Sequence, residues 1–434
     1  MASPPECYVT QLTKPVQLHY KCEKNRWSYD CYTGDELRSR LTDNHDEDYH
    51  CLLISICQRN SWQPLQITKK MLDCIFSQYG IDPAIFGELP SLFYRRNLAV
   101  EEAFCIPYTQ WIRGTCIAIS YTIRYPEFKE SSKEWIIRQT GLLHHLDVST
   151  QKTLYLLFNP MSDSKAHESA MRFMDSDSDP SHGQNPFWLH ETVFSAYLPA
   201  WRQYIAAYER EFLKLRNLTF STFIDKPLPV GYDNLSALAS LENRFLQMPI
   251  LLAQEIETLE GLHSLLNAES NGKLACVTEE VLEQLSSLLE WHINRLGSYN
   301  RSAEYIHQRT QSTTQLLAST LSLRDQVVAK DQTTSMLRLN KSVVFITILT
   351  LFYLPASFLS SFFGMSFFSL NEENGQFIAS EMIWIYIVSA TALTAGTLLL
   401  YNNLLKRDEK LSSPDSTTDQ SISNRWEIRG ALKV

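Results

Sequence analysis

Two long apolar segments near the C-terminus dominate the pattern of hydrophobic and polar positions. Ser342 to Phe363 holds 22 residues without a charged side chain, and Met382 to Tyr401 holds 20 more. An α-helix rises about 1.5 Å per residue, so each segment can cross a hydrocarbon core of roughly 30 Å. Only 18 residues, Gly364 to Glu381, join the two. The pattern predicts a large soluble part followed by a two-helix membrane hairpin; two buried helices of a soluble protein are the alternative.

Upstream of about residue 160 the pattern predicts strands. Thr115 to Tyr125 alternates apolar and polar residues with its isoleucines on one face, which is typical of a half-buried strand. Glu134 to Leu146 and Thr153 to Phe158 predict two more strands, paired as a hairpin.

Helical patterns lie on both sides of these strands. Thr68 to Leu89 predicts a helix that ends at Gly80, then a turn and a second short helix. Ser162 to Gln184 is polar and acidic, which predicts a surface loop or linker. Leu235 to Leu266 has apolar residues at helical spacing, and so does the chain from Val277 to the membrane. The second helix is expected to continue unbroken through the first apolar segment, for a length of roughly 130 Å.

These elements predict an α+β cytosolic domain, long stalk helices and a C-terminal transmembrane hairpin, mainly α overall. The predicted boundaries are residues 1–190 for the α/β domain with its acidic linker, 191–340 for the helical stalk, 341–405 for the hairpin and 406–434 for a cytosolic tail. Long helices that lead into a membrane hairpin usually need partners, so an oligomer is expected.

Charge near the hairpin predicts its orientation. Cytoplasmic flanks of membrane helices collect Lys and Arg. The connecting loop has neither, but it carries Glu372 and Glu373. Basic residues lie outside both apolar segments: Arg338, Lys341, Lys406, Arg407 and Lys410. Both termini are therefore expected in the cytosol and the acidic loop on the other side, in either the plasma membrane or an endomembrane.

Composition and motifs exclude several classes of function. The net charge of −9 disfavours nucleic acid as a partner. The nine cysteines lie before the hairpin without CxxC spacing, which predicts free thiols rather than a zinc cluster. No Ser-His-Asp set or phosphate-binding loop is present, so neither an enzyme nor a bound cofactor is expected.

The first apolar segment has a polar stripe. Steps of three and four residues follow one face of a helix, as in the contact seam of a helix bundle. The stripe consists of Asn340, Val343, Thr347, Thr350, Leu354, Ser357 and Ser361. Polar groups in a membrane avoid lipid, so the stripe predicts a pore lining in which Leu354 and Val343 are the apolar constrictions. The alternative is that Ser and Thr bond to the preceding turn or hold neighbouring helices together.

The end of this segment resembles CorA-type divalent-cation channels, in their broad fungal-like branch. Pro355 lies within the span, and Gly364-Met365-Ser366 stands where members have Gly-Met-Asn. The resemblance implies a homopentamer with a central pore lined by the first spans. It also implies that Ser366 is at the outer mouth, Ser357 faces the pore and Asn340 lies at its inner end. Serine for asparagine places ion selectivity in question, because its hydroxyl is shorter and forms fewer hydrogen bonds.

The predicted function is therefore passive conduction of Mg²⁺ or a related divalent cation. The expected partners are the lipid membrane, other copies of the chain, most simply five, and the cation itself. Glu372 and Glu373 would concentrate cations at the mouth. The alternatives are a membrane-tethered regulatory or scaffold protein that does not conduct, and a soluble enzyme with a tail anchor.

Two weaker hypotheses concern metal binding before the hairpin. His144, His145 and Asp147 form one candidate site, with ordinary strand-edge histidines as the alternative. Asp175, Asp177 and Asp179 form a candidate sensor of cytosolic Mg²⁺, with a disordered linker as the alternative; no metal ligand is assigned firmly.

Overall fold

A seven-stranded mixed β-sheet organises the N-terminal part of the chain. The chain divides into two units, Met1–Ser322 and Leu323–Val434. The structure is a computed structural model, which describes residues 7–22, 25–43, 49–60, 63–93, 105–175, 185–221, 229–269, 277–363, 368–370, 377–379 and 383–412.

The strands of the sheet are mostly antiparallel. Their order is β2-β1-β3-β7-β6-β5-β4, and only β3 and β7 run parallel. The predicted hairpin is confirmed as β6 and β7. The bounds are β1 Val16–Lys21, β2 Arg26–Cys31, β3 Cys51–Cys57, β4 Thr109–Arg113, β5 Cys116–Lys129, β6 Glu134–Asp147 and β7 Lys152–Asn159.

The predicted strand at 115–125 is confirmed as β5, but the expectation that it is half-buried is wrong. Ala118, Ser120, Thr122 and Arg124 point away from the isoleucine face and are also buried, each at most 4% exposed. The cause is tertiary, because helices cover both faces of the sheet and the polar positions of β5 face a second core.

Three helices cover one face: α1 Gly34–Asp43, α2 Lys69–Tyr79 and α3 Pro83–Phe86. The predicted helix, turn and short helix are confirmed in α2 and α3. Thr68 caps α2 by accepting a hydrogen bond from the Met71 amide at 3.2 Å. Gly80 ends it with a φ of 64°, a left-handed conformation that favours glycine.

The other face packs against four helices and the start of a fifth. They are α4 Lys165–Asp175, α5 Trp188–Tyr197, α6 Ala200–Phe220, α7 Tyr232–Glu269 and the first part of α8 Glu279–Phe363. The expectation of a loop at 162–184 is wrong for α4, because its Ala166, His167, Ala170 and Met174 are buried. Small and apolar residues on one helix face form that contact, whereas the polar composition of the segment belongs to the other face.

The predicted long helix is confirmed: α8 runs unbroken for 85 residues. It contributes buried residues up to Leu321 to the first unit. The second unit contains the rest of α8, a short pair of strands, β8 Phe368–Leu370 and β9 Phe377–Ala379, and α9 Ile383–Ser412. The predicted fold class, an α/β domain followed by long helices and two apolar helices, is therefore confirmed, while the domain boundaries remain predictions.

Candidate pore-lining face of the first apolar helix

Two helices are long and apolar enough to cross a membrane. One lies within α8, where the most apolar window of Glu279–Ser361 has a mean hydropathy of 2.0, and the other is Ile383–Asn403 of α9, at 1.8. Only 6% of each window is buried within the single chain. Helices of this composition need lipid or further protein to cover them, so both predicted spans stand as membrane candidates by length and composition.

The seven stripe residues lie on one face of α8. At 100° per residue, the stripe from Asn340 to Ser361 occupies an arc of only about 100°. All seven are exposed in the single chain; Val343 is 58% exposed and Leu354 63%. The helix therefore presents hydroxyl and amide groups on one surface and leaves Phe345 and Phe352 on others.

The threonine hydroxyls of the stripe bond to their own helix. Thr347 Oγ1 donates to the Val343 carbonyl at 2.8 Å, and Thr350 Oγ1 donates to the Ile346 carbonyl at 2.8 Å. A hydroxyl that donates inward still exposes its oxygen lone pairs. Such oxygens can accept hydrogen bonds from the water shell of a cation or from a neighbouring helix, so this geometry suits both a pore and a helix contact.

An open groove of about 580 Å³ follows the outer half of the stripe. It brings together Thr350, Leu354, Ser357 and Ser361, four of the predicted residues. Three further residues line it that the stripe did not include: Leu349, Tyr353 and Phe358. At 100° per residue, Phe358 lies at the edge of the arc of the stripe, Tyr353 about 40° outside it and Leu349 about 80° outside it. The step rule omitted Phe358 because it follows Ser357 directly, and a wider arc would have included the other two.

The remaining predicted site residues fall outside the described part of the chain. They are the outer-mouth motif Gly364, Met365 and Ser366 and the acidic loop residues Glu372 and Glu373.

The hypothesis of a metal site at His144, His145 and Asp147 is wrong. Successive residues of a strand point to opposite faces. His144 is buried on the α5 side, where its Nδ1 hydrogen-bonds to His190 Nε2 at 2.9 Å, whereas the His145 ring lies 6.5 Å from the Tyr79 ring on the other side. Asp147 instead accepts hydrogen bonds from three hydroxyl groups, those of Thr115, Ser149 and Thr150.

The buried histidines are held neutral by their surroundings. His190 Nδ1 lies 2.8 Å from the Tyr121 hydroxyl, so the two imidazoles and the phenol form one hydrogen-bonded chain. Burial lowers the pKa of His190 to about 3, and burial, followed by the neighbouring His190, lowers the pKa of His144 well below its ordinary value.

The other metal and thiol predictions have different outcomes. Asp175 is the last residue of α4, while Asp177 and Asp179 lie outside the described residues. Within the described ranges, no group of three or more His, Cys, Asp or Glu residues is arranged to hold a metal ion. Eight of the nine cysteines are free thiols, as predicted, and Cys276 is not among the described residues.

Structural comparison finds similar solved proteins at low identity, including the following three. The soluble domain of CorA from Methanocaldococcus jannaschii matches at 12% identity and a TM-score of 0.42, covering 71% of this chain and 98% of that one. The complete CorA magnesium transporter of the same organism matches at 12% identity and a TM-score of 0.34, covering 90% of this chain and 98% of that one. The full-length CmaX protein matches at 11% identity and a TM-score of 0.43, covering 91% of this chain and 98% of that one. TM-scores below 0.5 do not by themselves establish a shared fold.

Sequence comparison is more specific. No curated protein matches the chain. A family model described as CorA-like Mg²⁺ transporter protein matches residues 233–401, less than half of the 434 residues. The matched segment contains nearly all of α7, the whole of α8 and most of α9. The chain is therefore similar to this family model over residues 233–401, which include the first candidate membrane span and all but the last two residues of the second.

Proposed function

We propose that the chain forms an oligomeric channel that conducts Mg²⁺ or a related divalent cation passively, through a pore lined by the first apolar helix. The observation that carries the proposal is the single polar face of α8 within a CorA-like segment. In this proposal Asn340, Ser357 and Ser366 contact the hydrated ion, and Val343 and Leu354 close the pore.

Exposure along α8 supports an assembly of several chains. Every α8 residue from 322 to 350 is exposed in the single chain, including Met336 at 71% and Leu339 at 67%. Apolar side chains of this size are rarely left in water, so other copies and lipid are the natural cover. A homopentamer is the state that the family resemblance implies.

The chemistry of the stripe suits a hydrated divalent cation. Mg²⁺ gives up its water shell reluctantly, so hydroxyl and amide oxygens that accept hydrogen bonds from that shell are suitable contacts. An inside-negative potential of about 100 mV favours entry of a double charge by about 4.6 kcal/mol, which is sufficient for uptake without a pump.

The flux experiment uses two serines of the same helical turn. Full-length protein is reconstituted in liposomes that contain a Mg²⁺-sensitive dye, under an inside-negative potential. Ser357 lies on the stripe and Ser360 lies about 60° from its nearest stripe neighbour, and both are exposed. A ring of leucines at a pore position dewets it, so Ser357→Leu is expected to lower the Mg²⁺ flux roughly tenfold or more, while Ser360→Leu leaves it nearly unchanged.

One result would contradict the channel itself, and another would contradict its proposed lining. Absence of flux at every internal Mg²⁺ concentration would favour the second candidate, a non-conducting regulatory or scaffold protein that keeps the hairpin; Gly364-Met365-Ser366 in place of Gly-Met-Asn is the observation that favours it. Equal loss of flux in both serine variants would mean that the stripe is not the pore lining.

A further inference from the structure

A buried carboxyl group lies in the helical layer of the first unit, far along the chain from the apolar helices. Glu255 of α7 is 3% exposed, and Trp201 of α6 is fully buried. The indole Nε1–H of Trp201 donates to Glu255 Oε2 at 2.9 Å. The other carboxyl oxygen, Oε1, is buried without a hydrogen-bond partner. A single indole donor therefore provides the only polar contact described for this carboxyl group.

No positive charge compensates Glu255 in the described part of the chain. Arg244 of α7 donates instead to the Tyr208 hydroxyl at 3.0 Å, and Arg295 of α8 donates to the Tyr299 hydroxyl at 2.6 Å. The buried α7 residues three and four positions from Glu255 are Leu251, Leu252, Leu259 and Thr258, whose hydroxyl donates to the Gln254 carbonyl rather than to the carboxyl group. An ionised carboxylate in such a place loses its hydration and gains one hydrogen bond in return, so the neutral form is favoured.

The tyrosines and the histidine that are buried on the neighbouring elements are also neutral. Burial raises the pKa of Tyr121 and Tyr125 of β5 and of Tyr208 of α6, and it raises the pKa of Tyr204 to about 12. Burial, followed by the charge of Arg295, lowers the pKa of His292 of α8 to about 4. Tyr108, which packs against α7 at Gly261, also has a raised pKa because of burial. None of these groups supplies a charge that would hold Glu255 ionised.

We propose that Glu255 and Trp201 form a proton-sensitive contact between α6 and α7: the protonated carboxyl group stabilises the helical layer, and its ionisation as pH rises loosens that layer. The contact is a property of the first unit and does not depend on ion conduction. It would make α6 and α7 responsive to a rise in pH.

The direction of the pH dependence follows from the burial. The pKa of Glu255 is raised well above 4.5 by desolvation, and the Trp201 hydrogen bond lowers it only in part. Between the unfolded and the folded pKa, the folded state holds a proton that the unfolded state has released. The stabilisation is thus complete below about pH 4.5 and is lost as pH rises through the folded pKa.

The test measures urea unfolding of the full-length chain in detergent, followed by tryptophan fluorescence, between about pH 5 and about pH 9. For the wild type, the unfolding equilibrium constant is expected to rise by up to about tenfold per pH unit over part of this range. In Glu255→Gln this rise of the unfolding equilibrium constant with pH is expected to vanish, because the amide oxygen accepts a hydrogen bond from Trp201 but does not titrate. The matched control is Glu257→Gln, an exposed residue of the same helix, which should keep the wild-type slope.

A second variant keeps the proposal testable if Glu255→Gln does not fold. Trp201→Phe removes the donor that favours the ionised form, so the pH at which stability is lost should move upward. An unchanged slope in Glu255→Gln, or a downward shift in Trp201→Phe, would overturn the proposal. So would a pH dependence that appears only when a divalent cation is added, because Glu255 would then be an ionised ligand.

Discussion

A single missing side chain sets the distance between α7 and the segment before β4. A Cβ atom built on Gly261 would lie 2.4 Å from Tyr108 Cδ1, well inside van der Waals contact. Glycine inside a helix costs about 0.5–1 kcal/mol relative to alanine. Its presence at this position is therefore explained by the close approach of the Tyr108 ring, not by the helix itself.

The first residue-scale prediction is that Gly261→Ala destabilises the first unit by about 1–3 kcal/mol, because the aromatic ring must move and the gain in helix propensity is smaller than that strain. Gly297→Ala in α8 is the matched control, since its Cβ would meet only the end of the Arg301 side chain, at 3.6 Å. Urea unfolding measures the free energy of unfolding of both variants against the wild type. Equal stabilisation of both variants would show that Tyr108 does not restrict residue 261.

Packing between elements depends on groups that must stay neutral. Helix α5 packs against the sheet through His190, which bonds to His144 of β6 and Tyr121 of β5. His144 Nε2 is buried without a partner, so protonation would place a charge where no acceptor is described. The helix–sheet contact therefore requires both imidazoles to be uncharged.

The prediction for this contact concerns acid. The folded-state pKa of His190, about 3, lies below that of an unfolded histidine, so the unfolded state binds more protons and stability falls as pH decreases below about 6.5. The loss is expected to approach about 1.4 kcal/mol per pH unit for each such histidine. Urea midpoints measured from neutral pH down to the onset of acid unfolding test this.

His190→Gln should remove part of this dependence of the unfolding free energy on pH. The control His307→Gln replaces a partly exposed histidine of α8 and should leave the dependence unchanged. A slope that is identical in all three proteins would assign the acid sensitivity to other groups.

The whole molecule exposes more apolar surface than one chain can cover. The two apolar helices are almost unburied, and the segment of α8 before them is exposed on every side. Oligomerisation and lipid together would cover this surface, and a ring of copies would place the polar stripe around a common axis.

Assembly gives the last prediction. A homopentamer of this 50.1 kDa chain should elute from detergent as a particle whose protein mass, by light scattering, is about five times that of one chain. Cross-linking of the full-length protein in native membranes serves as the detergent-free control. A monomer in both experiments would refute the pore, because one copy of α8 cannot surround a conduit.

Much of the architecture could be predicted from the sequence because its determinants are local. Hydropathy over 20 residues identified α9 and the outer end of α8, and Gly80 identified the end of α2. Three- and four-residue spacing also placed Thr350, Leu354, Ser357 and Ser361 on one face, because helix geometry alone fixes that relation. Periodicity missed α4 because its buried face is short and carries His167 among small residues.

Contacts between distant segments were decided by the tertiary structure. Trp201 and Glu255 are 54 residues apart, and His144 and His190 are 46 apart. No local pattern marks either pair, and the adjacent histidines at 144 and 145 suggested a shared site that the strand geometry separates. The sequence by itself determined α2, α7, α8, the membrane candidates and the polar stripe, since backbone periodicity and hydropathy act over a few turns. Only the packing of helices on both faces of the sheet decided which polar side chains are buried, and therefore which of them stay uncharged.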